Sequence, residues 1–138
     1  MRISKKAEYA IIAVIYIAKQ CRSEPIPISE LSSQNSIPTK FLEQILINLK
    51  NFGILMSKRG AHGGYLLGLL DSQITVGMIL NAIDGSFDPI GIKSGNKLAP
   101  GLYKCFDDLN QIVTDHLNKF SIKDIITRDD KSKLYFEI

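Results

Sequence analysis

The chain has 138 residues, of which 45% are hydrophobic and 22% charged, and its formal net charge is +3. This length suits one domain with a modest appendage and excludes two full enzymatic domains. The composition is that of a globular chain and not of a disordered or collagen-like one. The longest apolar run, residues 9–18, has ten residues, about half of what a bilayer-spanning helix needs. We therefore predict no membrane span and a cytoplasmic protein.

The charge is distributed unevenly along the chain. Residues 1–66 carry nine Lys or Arg and four Glu, whereas residues 67–138 carry eight Lys or Arg and ten Asp or Glu. A basic half suits an acidic partner such as nucleic acid. The two cysteines, Cys21 and Cys105, are too few and too far apart for a disulfide framework or a tetrahedral metal site, so we expect reduced thiols.

Two helices are predicted at the start of the chain. The apolar residues after Ser4 recur at three- and four-residue steps as far as Ala18, which predicts a helix. Ser4 lies just before it and can serve as its N-cap. Two prolines then bracket a stiff turn. After this turn Ser29 can cap a short second helix over residues 30–34.

A third helix and a hairpin follow. Pro38 suits the first turn of an amphipathic helix, and Gly53 can close that helix with a left-handed cap. The hydrophobic period then changes: residues 54–58 and 65–67 read as two strands joined by a tight, basic, glycine-rich turn over residues 59–64. Together these elements predict a hairpin packed beside a helix.

The second half of the chain predicts two more helices. Thr75 and Gly85 can cap the two ends of the first. Residues 86–101 hold three glycines and two prolines and read as a loop. Beyond the last long helix, residues 121–126 read as a further short turn and residues 133–138 as a marginal strand.

The last long helix starts near Leu102 and carries an apolar stripe that favours pairing with another helix. Ile112 and Leu117 widen the stripe. Cys105 reads as a small buried hydrophobe, with a redox role as the alternative because it lies near a helix N-terminus. The stripe residues are Leu102, Phe106, Leu109, Val113, His116, which we expect to be buried or at an interface, and Phe120.

The order helix, short helix, break, amphipathic helix and glycine-tipped hairpin is typical of a winged helix-turn-helix, a mainly α fold with a small β-hairpin wing. Such a protein places its third helix in the DNA major groove, where base edges carry a full hydrogen-bonding code. Arg59 at the hairpin tip suits the minor groove. The residues expected to face the major groove are Thr39, Lys40, Glu43 and Gln44, and those expected to hold phosphates are Lys5, Lys6, Tyr9 and Lys58.

Each of these features also has a purely structural interpretation. The polar side of the third helix is by itself a solvated face, and Arg59 with Gly60 is by itself an ordinary turn. Glu43 even disfavours a polyanion, unless it accepts a hydrogen bond from a cytosine amino group. His62 reads as a solvent-exposed turn residue more readily than as a phosphate contact. The joint order of the elements favours DNA binding.

Two segments carry a resemblance to a known family. Residues 37–46 read I-P-T-K-F-L-E-Q-I-L, and residues 58–67 read K-R-G-A-H-G-G-Y-L-L. The opening M-R-I-S and the triplets I-T-V and I-D-G after the hairpin agree as well. Over residues 1 to about 126 the chain resembles the Rrf2 family of bacterial transcription regulators, and the pairing of F-L-E-Q-I-L with R-G-x-x-G-G-Y is specific.

The resemblance implies a homodimeric regulator that binds roughly palindromic double-stranded DNA. It divides the chain into a DNA-binding domain over residues 1–84, a sensor-type loop over 85–101, and a dimerisation helix with a tail over 102–138. It places Leu102, Phe106, Leu109, Val113, His116 and Phe120 in the dimer interface. The residues assigned to DNA are Arg2, Ser4, Lys5 and Tyr9 on phosphates, Thr39, Lys40, Phe41, Glu43 and Gln44 in the major groove, and Lys58, Arg59, Gly60, Gly63, Gly64 and Tyr65 in the wing.

The chain departs from the family at one point. Many members hold an iron–sulfur cluster through three cysteines in the loop before the dimerisation helix, and residues 86–101 here contain none. Because such clusters require several thiolates, we predict no cofactor and no metal, and a small-molecule or protein effector stays open. We predict a sequence-specific repressor. The alternatives are a winged protein-interaction module without DNA binding and, far behind, an enzyme, for which no nucleophile–base pair or phosphate loop is evident.

Overall fold

The computed structural model describes residues 2–85 and 99–136. Within these residues the chain is mainly helical with one two-stranded antiparallel sheet, which confirms the predicted fold class. No helix among them is both long enough and apolar enough to cross a bilayer. The elements are α1 (Lys5–Gln20), α2 (Ile28–Asn35), α3 (Thr39–Asn51), β1 (Leu55–Lys58), β2 (Gly64–Leu67), α4 (Val76–Asp84), α5 (Pro100–Lys119) and α6 (Ile122–Phe136).

The core lies where α1, α3 and α4 meet above the base of the hairpin. The inner face of α1 carries small residues, and Ala7, Ala10 and Ala13 are completely buried. Because an alanine adds so little volume, the neighbouring helices can approach the α1 backbone closely. Larger side chains of α3, such as Leu46 and Leu49, fill the remaining space at 0% exposure. Because its apolar side packs into the core, α3 exposes its polar face to solvent.

Both N-caps predicted on the long helices of this region are present. The Ser4 hydroxyl accepts a hydrogen bond from the Ala7 N–H at 3.0 Å. The Thr75 hydroxyl accepts one from the Met78 N–H at 3.1 Å. Each satisfies one of the donors that a helix start leaves without an intrahelical partner. The Gly85 N–H in turn closes α4 on the Asn81 carbonyl.

The end of α3 forms a Schellman motif around Gly53, which has a φ of +78°. The Gly53 N–H bonds to the Lys50 carbonyl at 2.9 Å, and the Ile54 N–H bonds to the Leu49 carbonyl at 3.0 Å. Ile54 and Leu49 are both buried, the apolar contact that accompanies this motif. The predicted left-handed cap is confirmed, and it aims the chain directly into β1.

The prediction for α2 is wrong at its start. The helix begins at Ile28, and Pro27 rather than Ser29 is its N-cap. The Pro27 carbonyl already accepts hydrogen bonds from the Glu30 and Leu31 N–H groups. Proline has the extended backbone that an N-cap requires, so the helix can start without a side-chain cap.

The hairpin pairs β1 with β2 in antiparallel register, with Leu55 opposite Leu67. A feature that the sequence did not indicate is a third segment beside it. Ile26 and Tyr65 exchange both backbone hydrogen bonds at 2.9 Å. The turn between α1 and α2 therefore holds the wing against the body of the domain.

The C-terminal part differs most from prediction. Helix α5 begins at Pro100, and the chain from Ile122 forms one helix rather than a short turn and a strand, so the strand is wrong over residues 133–136. Ser121 and Asp124 explain the start of α6: each bonds the other's backbone N–H with its side chain, a reciprocal capping box. The rest of the predicted strand and residues 86–98 of the predicted loop lie outside the described residues.

Candidate nucleic-acid interface

The start and the outer side of α3 form a polar, exposed face. Thr39, Lys40, Glu43 and Gln44 all lie on it, opposite the buried stripe of the helix. Ile47, which the sequence analysis did not assign, is 51% exposed on the same face. At 100° per residue, positions 40, 43, 44 and 47 fall within about 100° of one another. An apolar side chain in such a row can contact a thymine methyl group.

An aromatic column joins this face to the N-terminus of α1. The Phe41 ring is 46% exposed and its centroid lies 6.0 Å from that of Tyr9. The Lys5 ammonium nitrogen lies 5.2 Å from the Tyr9 ring centroid, within the range of a cation–π interaction. The predicted phosphate-binding residues Lys5 and Tyr9 thus lie next to the reading face, and their contact with DNA stays a prediction.

Ser4 has a structural role in addition to its cap. Its hydroxyl donates to the Asp84 carboxylate, with oxygen–oxygen distances of 2.9 and 2.8 Å, while it accepts from the Ala7 N–H. The single O–H donor of Ser4 is therefore in use, and one of its two lone pairs accepts the bond from Ala7. Arg2 is exposed nearby and, like Ser4, stays a predicted phosphate contact.

The wing presents exposed cationic residues at its tip. Lys58, Arg59 and Gly60 are exposed. The two following glycines are required by the fold itself. A Cβ on Gly63 would lie 2.5 Å from the Lys58 carbonyl oxygen, and one on Gly64 would overlap the Ile26 carbonyl. These glycines close the turn and admit the bridge at Tyr65, and their DNA contacts stay predictions.

A groove of about 470 Å³ separates the wing from the end of α3. Its lining combines the wing residues Lys58 and Arg59 with Lys50 of α3. The start of α2, at Pro27 and Ile28, forms its other wall. Lys50 was not among the predicted site residues, because a lysine in the last turn of a helix is readily explained by the helix dipole alone.

A hydrogen-bonded clip of Tyr16, Arg22 and Glu30 holds α1, the following turn and α2 together. Tyr16 donates to the Glu30 carboxylate at 2.7 Å, and Arg22 forms an ion pair with the same carboxylate. The hydrogen bond to Glu30, with burial, raises the pKa of Tyr16. The hydrogen bond from Tyr16 and the Arg22 guanidinium lower the pKa of Glu30. The clip therefore favours a charged Glu30 and a neutral Tyr16.

Helix α5 has two distinct apolar faces. One is half-buried against the chain itself and includes Phe106, Val113 and Phe120, whose placement in a dimer interface stays a prediction. The other is exposed, so Cys105 is not buried as expected, while the placement of the exposed His116 at an interface stays a prediction. Its residues span an arc of about 80° at 100° per residue. They are Leu102, Cys105, Leu109, Ile112 and His116.

Across residues 2–85 and 99–136, no three His, Cys, Asp or Glu side chains are grouped as a metal site would require. Cys21 ends α1 and Cys105 lies on α5, and both are exposed. His62 is exposed at the wing tip. His116 makes an edge-on contact with Phe120, with ring centroids 4.8 Å apart.

An exposed polar helix face next to a cationic hairpin defines a winged helix-turn-helix DNA-binding protein. Comparison with known proteins narrows this class. Residues 3–128 match the family model of Rrf2, described as an iron-dependent transcriptional regulator. The chain belongs to the Rrf2 family. It is thus a DNA-binding transcription regulator and not an enzyme.

Individual relatives agree with this assignment. The chain is 31% identical over 135 residues to the HTH-type transcriptional regulator IscR of Pectobacterium atrosepticum, covering 94% of this chain and 82% of that protein. Its fold matches CymR, the global cysteine regulator of B. subtilis, with a TM-score of 0.81 and 26% identity over 93% of this chain and 98% of that one. The oxidized form of Staphylococcus aureus CymR matches with a TM-score of 0.75 and 28% identity, covering 91% and 95%.

The iron dependence in the family description can be tested against the residues of this chain. Protein iron–sulfur clusters are held mainly by cysteine thiolates, four in the common types. The whole sequence contains two cysteines, and residues 86–98 contain neither cysteine nor histidine. The two cysteines lie on different elements. The residues present do not fit a cluster of this kind.

Proposed function

We propose that the chain acts as a homodimeric, sequence-specific repressor that occupies promoter DNA without an iron–sulfur cluster. The observation that carries this proposal is that one chain exposes two surfaces, each of which suits a binding partner. One is the polar face of α3 beside the cationic wing, and the other is the exposed apolar stripe of α5. The first surface suits a duplex and the second suits a copy of itself.

Dimerisation is supported by the exposure of the α5 stripe. Leu102, Leu109 and Ile112 are 54%, 42% and 65% exposed, and together with the exposed Cys105 they recur at the three- and four-residue steps of a helix–helix seam. Most oligomers are symmetric dimers in which the same patch serves both subunits. Pairing of two α5 helices would thus cover both stripes and set two reading helices for the two halves of a palindrome.

Sequence reading is assigned to the exposed start of α3. Thr39 and Gln44 can donate and accept hydrogen bonds at base edges, Lys40 can donate to guanine, and Glu43 can accept from a cytosine amino group. Arg59 of the wing would enter the adjacent minor groove, whose negative potential attracts arginine. Phosphate contacts from Arg2, Lys5 and Lys58 would supply affinity without reading sequence.

Repression by occupancy needs only these two surfaces, because a bound dimer excludes other proteins from the same DNA. The segment that would carry a cluster in many relatives contains no thiolate here. We therefore propose that a small molecule or a protein, rather than iron, modulates DNA binding.

Selection of bound duplexes from random DNA by the purified chain tests the proposal and yields the operator. We expect an inverted repeat and binding by a dimer. Arg59→Ala should then cost about 1–3 kcal/mol in affinity, and Glu43→Gln should relax the preference at one base pair per half-site by a similar amount. Lys123→Ala, which removes an exposed charge on α6, is the control and should change neither.

Two results would contradict the proposal. If the chain enriches no duplex over random competitor at moderate salt and instead captures a protein in stoichiometric amount, it is a winged interaction module. A selected site without two-fold symmetry would contradict the dimer.

A further inference from the structure

We propose that the groove between the end of α3 and the wing holds the sugar–phosphate strand that separates the major from the minor groove, with Lys50 as its phosphate contact. This assignment rests on the DNA-binding function proposed above and adds a site to it. Lys50 lies outside every segment for which the sequence predicted a DNA contact.

The position of Lys50 follows from helix geometry. It comes seven residues after Glu43, which places it on nearly the same side of α3 and about 10 Å further along the axis. Glu43 lies on the reading face near the start of the helix, whereas Lys50 lines the groove beside the wing. The same edge of α3 therefore reads bases at one end and faces the wing at the other.

The groove is cationic and uncompensated. Lys50, Lys58 and Arg59 line it, and no lining residue in the described part of the chain is acidic. None of the three has a carboxylate partner among residues 2–85 and 99–136. Three unpaired cations along one groove repel one another, and a polyanion that neutralises them also releases its own counterions.

The geometry of the duplex supplies the occupant. The major groove is about 12 Å wide and the minor groove about 6 Å, and one sugar–phosphate strand forms the wall between them. If α3 lies in the first and Arg59 in the second, that strand must cross the gap between helix and wing. The groove at Lys50 is this gap, and a lysine ammonium there meets phosphate as a point charge that reads no base.

The test is the salt dependence of DNA binding. The slope of log Kobs against log salt is negative, and each lost phosphate contact reduces its magnitude by about 0.9. Lys50→Ala removes one contact from each subunit, so it should reduce the magnitude by about 1.8 for a dimer. The reduction should be equal on the selected operator and on random duplex, and the order of preference among operator variants should not change. Lys50→Arg should restore the slope, and Lys123→Ala should leave it at the wild-type value.

A second readout locates the contact. Neutral methylphosphonate is placed, one position at a time, along the operator strand between the contacted grooves. At one position, the wild-type chain should bind the modified DNA more weakly than unmodified DNA. The wild-type chain and Lys50→Ala should bind that modified DNA with equal affinity, because the phosphate charge that Lys50 contacts is already gone. Two results would refute the phosphate contact at Lys50 while the proposed function stands. In the first, Lys50→Ala binds more weakly than wild type by the same factor at every methylphosphonate position. In the second, Lys50→Ala keeps the wild-type salt slope. A wild-type chain that binds no duplex would refute both.

Discussion

The helices α1 and α3 and the later helix α5 differ in how far they bury their apolar residues within the chain. In the first region, α1 buries six residues and α3 four. In α5, which is longer than either, no residue is fully buried. One region closes its core within the chain, whereas the other leaves a continuous apolar stripe on the surface.

This difference shows that hydrophobic periodicity alone cannot tell a core from an interface. The stripes of α3 and α5 have the same three- and four-residue spacing. The α3 stripe is covered by α1, α2 and α4, whereas Leu102, Leu109 and Ile112 of the outer α5 stripe are exposed. A contiguous exposed apolar patch marks an interaction surface or an aggregation liability, and a second copy is the simplest partner for such a surface.

The largest effect is expected from a charge in the centre of the α5 stripe. Ile112→Asp should convert the proposed dimer to a monomer, because an unpaired charge buried in an interface costs about 3–5 kcal/mol for each copy. At 1.4 kcal/mol per tenfold change, one copy alone weakens association at least about hundredfold. Sedimentation velocity over a concentration series measures the change.

Leu70→Asp is the matched control for this substitution. Leu70 is 67% exposed and Ile112 is 65% exposed, so both variants replace an apolar side chain of similar exposure, but Leu70 lies outside α5. We expect Leu70→Asp to remain a dimer. If Ile112→Asp also remains a dimer, the stripe is not the interface.

The next effect concerns the self-contained core. Leu46→Ala should lower the free energy of unfolding by about 2–5 kcal/mol, because Leu46 has 0% exposure and truncation leaves a cavity. Ile47→Ala, one residue further along α3 and 51% exposed, should cost less than about 1 kcal/mol. Urea titrations at one fixed protein concentration compare the two, since dimerisation makes stability depend on concentration. Equal losses would contradict the core described here.

Much of the fold could be predicted because its signals are local. The caps at Ser4 and Thr75 and the turn at Gly53 each depend on a few neighbouring residues, and all three are present. The errors have local causes too. Serine is a common cap, which favours Ser29, yet Pro27 is the N-cap of α2. The sequence S-x-x-D from Ser121 to Asp124 is the local signal of the capping box that starts α6.

The parts that could not be predicted depend on contacts between distant segments. Nothing near Tyr65 indicates that Ile26 will bridge to it, or that Asp84 will accept the Ser4 hydroxyl. Periodicity placed Phe106 and Leu109 on one stripe of α5, and only packing against α4 separates the half-buried residues from the exposed ones. Likewise, no local signal near Lys50 indicates that it lines one groove with Lys58 and Arg59 of the wing.

The smallest effect is expected from the clip on Glu30. Tyr16→Phe removes a hydrogen bond to a carboxylate that is 25% exposed and should lower stability by about 1.5 kcal/mol at neutral pH. Lys104→Gln breaks an ion pair whose partners are 78% and 63% exposed and should cost about 0.5 kcal/mol or less. Denaturant titrations of the two variants separate a clip from a surface pair, and equal losses would deny the clip any special role.

The clip should also respond to pH in one direction. The pKa of Glu30 is lower in the folded chain than its ordinary value of 4.5, so its contribution to stability is complete above that value and is lost as pH falls through the folded pKa. The difference in unfolding free energy between wild type and Glu30→Gln should therefore be largest near neutrality and shrink below about pH 4.5. Asp124, whose pKa is also lowered, titrates in both proteins and cancels in the difference. A difference that stays constant down to pH 3 would mean that the Glu30 charge contributes nothing, and that the clip acts through packing alone.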